Sequence, residues 1–307
     1  MRRSKRIHPI CALTIAGSDS GGGAGIQADL LTFAAHGIYG ATVLIAGTAQ
    51  NTRGVVSVEP FSPRFIAEQM DAVFSDLAPA AVKIGMLCDA RHVRTVASGL
   101  RRHGARNVVL DPVIRATGGT ELLSPAGVRA VIRELLPLCE LVTPNLDEAA
   151  ALAGMEIQST RDQESAACRI AELGARAVLV KGGHRPGDRI RDALWDGERL
   201  FIVEGRRIAT AATHGTGCTL SAAIAAALAL GFPLQDAVAQ GVRYVRRALK
   251  RGVFPGEGAG VPGRVPARLT PRGRSGTRAR SKRSPRSRFA RRRGRRRVPG
   301  PGSYRSP

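Results

Sequence analysis

A doubly wound α/β fold with a mostly parallel sheet is predicted for residues 9–252 by three observations. Short apolar runs of strand length recur along the chain, segments with helical apolar spacing separate them, and charge nearly cancels over this stretch. Strands covered on both faces read as near-continuous apolar runs, and helices between them imply parallel crossovers. The runs are 11–16, 41–46, 81–84, 108–110, 141–142 and 177–180. The helical segments are 24–36, 63–74, 90–103, 125–136, 161–173, 217–230 and 234–250, each opening near a cap or loop residue. Two further runs, 193–195 and 200–203, flank Asp196-Gly197, a pair suited to a β-hairpin turn at the sheet's edge.

Charge divides the 307-residue chain into three segments. Of a net +23, residues 253–307 carry 17 Arg and Lys against the single acid Glu257, and residues 1–8 add +4, which leaves +3 for 9–252. The reading is a basic N-terminal extension (1–8), a folded domain (9–252) and a disordered Arg/Pro/Gly-rich tail (253–307), because the last segment has too little apolar surface to offset its ordering entropy. The Arg291–293 and Arg295–297 clusters can touch nucleic-acid phosphates, but only Phe289 and Tyr304 are there to stack on bases, so any such contact is non-specific. A merely solvated tail, or a GC-rich coding sequence read out of frame, accounts for the same composition. Five dispersed cysteines without metal-ligand spacing predict reduced thiols in a cytoplasmic protein. The basic start lacks a cleavable signal pattern, and the Ala-rich stretch 220–230 is too short to cross a bilayer, so no membrane partner is expected.

Several motifs fall where predicted strands end. Gly17-Ser18-Asp19-Ser20-Gly21-Gly22-Gly23-Ala24-Gly25 follows a strand and opens a helix, an arrangement that brings backbone close to a ligand. Alone it fits a tight turn equally well, and Asp29 a few residues on fits a solvated helix position. His214-Gly215-Thr216-Gly217-Cys218-Thr219 points backbone N–H groups at one place, a geometry that binds anions. Cys218 in the first helical turn is expected to have its thiol pKa lowered by the positive helix end, below the reference of roughly 8.5. On its own, a Cys beside alanines reads as inert packing. Thr143-Pro144-Asn145-Leu146-Asp147-Glu148 offers oxygen ligands for magnesium, or a simple helix cap with acids suited to the dipole. Asp111 and Lys181 each end a strand, and open α/β sheets bind ligands at that edge. Lys181 and His184 also read as ordinary loop residues.

Taken in order, the 17–29 loop, Thr48-Ala49-Gln50-Asn51-Thr52, Lys83-Ile84-Gly85-Met86-Leu87, Asp111-Pro112-Val113, 143–148, 181–184 and 214–219 resemble the hydroxymethylpyrimidine/phosphomethylpyrimidine kinases of thiamine synthesis over roughly residues 10–252. The resemblance implies a ribokinase-like fold and ATP-dependent phosphorylation. It implies that Asp29 and Gln50 bind an aminopyrimidine in a pocket lined by Gly17, Met86 and Val113. It further implies that Glu148, Asn145 and Asp111 organise Mg2+, that Lys181, Gly215, Thr216 and Gly217 grip ATP phosphates, and that Cys218 is the catalytic base. The Gln50 carboxamide suits its task, since it presents a donor and an acceptor side by side. Pyridoxal kinase activity is the neighbouring alternative, and Gln50 favours the pyrimidine. Homodimer formation and the number of phosphorylation steps are left open. The family's closing Gly-rich segment is only half matched by residues 256–263, which predicts that the C-terminal closure is lost.

Overall fold

The computed structural model describes residues 8–116, 118–183, 185–263, 265–267 and 280–281. The chain runs β1 (Cys11–Asp19), α1 (Gly25–Ala35), β2 (Tyr39–Asn51), β3 (Gly54–Pro60), α2 (Pro63–Leu77), β4 (Ala81–Ile84), α3 (Ala90–Arg102) and β5 (Val108–Leu110). It continues through α4 (Pro125–Ala130), β6 (Leu141–Val142), α5 (Leu146–Ala153), α6 (Thr160–Glu172), β7 (Val178–Val180), β8 (Arg189–Trp195) and β9 (Leu200–Arg206). Then come α7 (Thr216–Ala229), α8 (Leu234–Leu249) and a two-residue β10 (Arg280–Ser281).

All strands join one sheet in the order β10-β9-β8-β7-β6-β5-β4-β1-β2-β3. The six strands from β2 to β7 in that order are parallel, as the alternation of runs and helices predicts. Antiparallel strands finish both sides, with β3 on β2 and the expected hairpin β8–β9 on β7. Gly197 takes the left-handed φ of +102° that this turn needs.

The period-2 side-chain alternation sorts the apolar runs into two layers. Leu13, Ile15, Val43, Ile45, Val82, Ile84, Val108, Leu110, Val142, Val178 and Val180 belong to one core with residues of α2, α3, α5 and α6. Ala12, Ala81, Val109, Leu141, Ala177 and Leu179 belong to the other, with residues of α7 and α8. Small residues dominate this second face because α7 lies close against it. The alanines of α7 from Ala222 to Ala227 are fully buried, and a Cβ on Gly241 of α8 would come within 2.6 Å of Ile224 Cγ1. The shared core produces a parallel sheet whose carboxyl edge collects the ends of β1, β2, β4, β5, β6 and β7.

Two expectations about the C-terminus are corrected. The folded domain does not stop at 252, and the closure is present. Val253 and Val261 exchange both backbone hydrogen bonds, Gly258 N–H donates to Thr52 Oγ1 at 3.0 Å, and Ala259 N–H donates to Thr52 O at 2.9 Å. His214 N–H donates to Gly260 O at 3.0 Å, and Ala267 N–H donates to Ala35 O at 2.9 Å. Val265 is buried with Ala223, Tyr244 and Ala248. The segment works through backbone hydrogen bonds and close approach, with a Cβ on Gly258 only 2.1 Å from Thr52 O, so it has no apolar period to announce it. The short strand β10 pairs with Phe201 and Ile202 of β9. Residues 1–7 and the arginine clusters of 291–297 lie outside the described residues.

Truncation after Ala267 is expected to leave turnover within a few-fold. Truncation after Gly252 removes the burial of Val265, about 1.5–3 kcal/mol, together with the hydrogen bonds to Thr52 and His214. Denaturant midpoints and specific activities of the two truncates check the boundary, and equal behaviour would place it elsewhere.

Candidate active site

A lysine in the middle of a strand covered on both faces requires a partner, and Lys83 on β4 has one. Its Nζ lies 2.7 Å from Asp29 Oδ2, and neither side chain reaches solvent. Thr14 Oγ1 donates to the same carboxylate oxygen at 2.6 Å. Burial raises the Asp29 carboxyl above its ordinary range, against the pull of Lys83 and Thr14. Burial alone would lower Lys83, but its interactions with Asp29, Cys218 and Asp111 outweigh it and hold the ammonium above its ordinary value. Asp29, expected at the substrate, gives Oδ2 to Lys83 and Thr14, while its buried Oδ1 has no hydrogen-bond partner among the described residues.

Above this pair the glycine loop and the α7 turn converge. A bulge between Ala16 and Ser18 interrupts the β1–β2 register at Gly17, where a Cβ would sit 2.6 Å from Met86 Cε, so these two expected pocket residues are in contact. Gly25, the first residue of α1, turns its N–H toward Cys218 closely enough to lower the thiol pKa, and Cys218 itself lies in the first turn of α7. Gly25 takes φ +57°, and a Cβ there would be 2.3 Å from Gly17 O. Gly215 takes φ +78°, and a Cβ there would be 2.0 Å from Gly23 O. Only glycine permits both approaches.

The thiol of Cys218 departs from expectation. Burial pushes it up to about 11, with Asp29 and Asp111 adding to the rise while Lys83 and the Gly25 N–H oppose it. The helix end is outweighed chiefly by burial, which disfavours the thiolate, with the two carboxylates adding to it.

The remaining charged groups surround the α7 turn. Lys181 Nζ lies 2.8 Å from Asp111 Oδ1, and a Cβ on Gly217 would be 3.2 Å from Asp111 Oδ2 and 3.4 Å from Lys181 Nζ. Burial would lower Lys181, yet Asp111 and Glu148 hold it above its ordinary value. Thr143 Oγ1 donates to Asp111 Oδ1 at 3.3 Å. Val113 is half-buried, its N–H donating to Asp111 O at 2.8 Å in a tight turn. Glu148 is pushed up to about 7 by burial and by Asp111, against Lys181 and the N–H groups of Asn145 and Ile114.

Asn145 and Glu148 form a reciprocal cap: Glu148 N–H donates to Asn145 Oδ1 at 2.9 Å, and Asn145 N–H donates to Glu148 Oε2 at 2.7 Å. Asn145 thus caps α5 with its side-chain oxygen, and that oxygen keeps a second lone pair. Beside it, Asp111 and Glu148 are two carboxylates that share the one ammonium of Lys181. That excess of negative charge fits a divalent cation, and magnesium takes few protein ligands beside phosphates. Among the described residues no group of three or more His, Cys, Asp and Glu gathers as a metal cage.

Gln50, near the end of β2, is half-buried with its carboxamide 3.2 Å from His214 Nε2. His214 in turn lies 3.0 Å from Asp19 Oδ2. Burial works against the Asp19 charge, but hydrogen bonds from His214, Ala24 and Gly21 hold its carboxyl below the ordinary range. Asp192 was also missed by motif reading. It accepts the Gly182 N–H at 2.8 Å behind Lys181, and burial pushes it up to about 6. His184 lies outside the described residues.

A family model described as phosphomethylpyrimidine kinase matches residues 19–262. The chain belongs to this family. A hydroxymethylpyrimidine/phosphomethylpyrimidine kinase of Rhizobium meliloti is 55% identical over 243 residues, 78% of this chain and 90% of that one. A thiamine biosynthesis bifunctional protein of Geobacter sulfurreducens is 47% identical over 249 residues, 81% of this chain and 51% of that longer protein. The solved ADP complex of Bacillus subtilis pyridoxal kinase superposes with a TM-score of 0.79 at 36% identity, covering 85% of this chain and all of that one. Within the phosphomethylpyrimidine kinase frame, the ribokinase-like fold expected from the motifs is the fold observed. No helix among the described residues is long and apolar enough to cross a membrane.

Removing one half of a buried ion pair leaves the other charge uncompensated. Lys83→Met is therefore expected to destabilise the protein by about 3–5 kcal/mol, and adding Asp29→Leu to recover much of the loss. Urea denaturation of the single and double variants measures both, and an additive pair of losses would show that the two side chains do not act together.

Proposed function

We propose that the chain transfers the γ-phosphoryl group of ATP to the hydroxymethyl oxygen of 4-amino-5-hydroxymethyl-2-methylpyrimidine, and then phosphorylates the monophosphate to the diphosphate for thiamine synthesis. The observation that carries this reading is the meeting, at one sheet edge, of the Gln50 carboxamide, the Cys218 turn and the Asp111–Lys181–Glu148 cluster. The family membership and the names of its relatives point the same way.

In this reading Gln50 pairs with the ring nitrogen and amino group, and Gly17, Met86 and Val113 bound the ring. The close Gly17–Met86 contact suits a flat ring, because it leaves backbone rather than side chain on one wall. A pocket built on a paired amide rejects rings that lack the matching donor and acceptor, since its own polar groups would be left unpaired. Lys181 and the N–H groups of the 215–218 turn hold the polyphosphate and the charge that develops during transfer. When bound, magnesium held by Asp111 and Glu148 would neutralise part of that polyphosphate charge.

Cys218 takes the proton from the attacking hydroxyl. A thiol pushed up to about 11 is mostly protonated near neutrality, but the small thiolate fraction is a strong base, favoured by Lys83 beneath it and by the Gly25 N–H. The second step needs no such base, because a phosphate oxygen is already anionic. One pocket can therefore serve both reactions, and pyridoxal kinases of the same fold offer the alternative ring against which Gln50 discriminates.

Two outcomes are expected. Below its pKa the thiolate fraction rises with pH, so the alcohol step should accelerate by about tenfold per pH unit between roughly 6.5 and 9, while the phosphate step stays nearly flat. Cys218→Ala should abolish that slope and depress the alcohol step by about 10²–10⁴-fold, with a much smaller effect on the phosphate step. Initial rates on the two pyrimidines with one preparation measure this, and parallel pH profiles would remove Cys218 from the proton transfer. Separately, Gln50→Ala should raise the pyrimidine KM and lose about 1–3 kcal/mol of selectivity over pyridoxal. Unchanged kcat/KM ratios for the two rings would remove Gln50 from ring recognition.

A further inference from the structure

The main chain of Gln50 is pinned, and the orientation of its carboxamide decides what it recognises. Its backbone N–H donates to Ser20 Oγ at 2.8 Å, and Ser20 Oγ donates back to Gln50 O at 2.6 Å, so the main chain is pinned on both sides. What remains free is a half-turn of the carboxamide, which exchanges its oxygen and nitrogen without changing its shape.

The surrounding hydrogen bonds permit only one of the two orientations. Asp19 accepts N–H groups from Gly21 at 2.8 Å, Gly23 at 3.0 Å and Ala24 at 2.8 Å, the pattern of an ionised carboxylate with no hydrogen to give. His214 Nε2, 3.0 Å from Asp19 Oδ2, must therefore carry a hydrogen. With the Gln50 nitrogen turned toward that same Nε2 at 3.2 Å, two donors face each other. On the other side, Thr48 Oγ1 lies 2.9 Å from Ser18 O and 3.1 Å from the Gln50 oxygen, two acceptors for a single hydroxyl hydrogen. Turning the carboxamide over resolves both conflicts. Its oxygen then accepts from His214 Nε2–H, shared with Asp19, and its nitrogen donates to Thr48 Oγ1, whose own hydrogen goes to Ser18 O.

We propose that His214, held by Asp19, is a specificity-determining positioning residue: it sets the polarity of the Gln50 carboxamide and so the order of donor and acceptor that the pocket offers a ring. The inference rests on the reading that Gln50 pairs with the ring. The imidazole is well placed to do this. Its backbone N–H is tied to Gly260 O, and its ring lies against Gly23, where a Cβ would come within 2.5 Å of Cδ2. An amide locked in one polarity accepts an aminopyrimidine edge, with an acceptor nitrogen beside a donor amino group. It rejects the 4-oxo analogue, 5-hydroxymethyl-2-methylpyrimidin-4(3H)-one, whose edge presents the reverse order, a donor N–H beside an acceptor oxygen. An unlocked amide can turn to meet either.

The test compares kcat/KM for the amino and oxo rings in the unmutated chain, His214→Leu, His214→Gln, Gln50→Ala and the double variant His214→Leu/Gln50→Ala. His214→Leu should reduce the amino/oxo ratio at least tenfold. His214→Gln, whose amide N–H reaches a similar place beside Asp19, should restore most of it, and His214→Leu should change nothing further once Gln50 is alanine. If His214→Leu keeps the ratio while Gln50→Ala loses it, the inference falls and the ring-pairing role of Gln50 stands. If Gln50→Ala keeps the ratio, that role falls and takes the inference with it. Independently of folding of any variant, ¹⁵N spectra of the unmutated chain should show a protonated Nε2 on His214, and a neutral imidazole bare at Nε2 would overturn the proposal.

Discussion

The ion pair between Asp29 and Lys83 is the constraint on which the arrangement of the site rests. An ammonium on a fully covered strand persists only if a partner reaches it, and Asp29 does so from the second turn of α1. The pair therefore ties the helix that follows the glycine loop to the strand that leads into Gly85 and Met86. Gly85 follows the last residue of β4, and a Cβ there would come within 2.9 Å of Lys83 Nζ, so the space is already taken by the charge. Such a pair contributes little net stability against a well-packed apolar substitute, but either half alone is strongly unfavourable. It ties the start of α1, and with it the glycine loop, to β4.

The parallel core was legible in the chain because both faces of those strands are covered, which leaves unbroken apolar runs such as 81–84 and 108–110. The strand β3 was not, since it is an exposed edge whose residues are mostly half-buried or in solvent, with Val56 79% exposed. The segment 253–263 was missed for a related reason: its attachment uses main-chain groups, and glycine-rich backbone carries no periodic signal. A motif says which residues meet at the sheet edge, and it says little about which faces the opening. Asp29 and Asn145 both sit in matching motifs, yet one is enclosed with Lys83 and the other caps α5. The charge of Cys218 does not follow from its position at a helix start, because burial, and after it the carboxylates from α1 and the end of β5, govern the thiol. Lys83 itself was readable, being a lone cation inside an apolar strand run. The Asp19–His214 contact was not, as its partners stand 195 residues apart.

Close backbone approach recurs wherever the chain handles charge. Gly25, Gly215, Gly217 and Gly258 each have no room for a Cβ or face a charged side chain at the distance a Cβ would occupy. The N-termini of α1 and α7 converge at Cys218 through these positions. A preorganised set of N–H groups in a site with little water stabilises developing negative charge more than the same groups would in solution. Reorganisation is avoided because the glycines have already been folded into conformations that other residues resist.

The helix α7 delivers that turn, and its composition restricts how the enzyme can diverge. Ala222, Ala223, Ala225, Ala226 and Ala227 have no exposed surface, and they pack against the sheet on one side and α8 on the other. A larger side chain at a position packed in the sheet-side core, such as Ala222 or Ala226, would push α7 from its neighbours, and the anion turn moves with the helix. Variation in substrate range is thereby directed away from α7, toward the half-buried positions around Gln50 and Val113, where a change of side chain alters the pocket without displacing the backbone that performs the transfer.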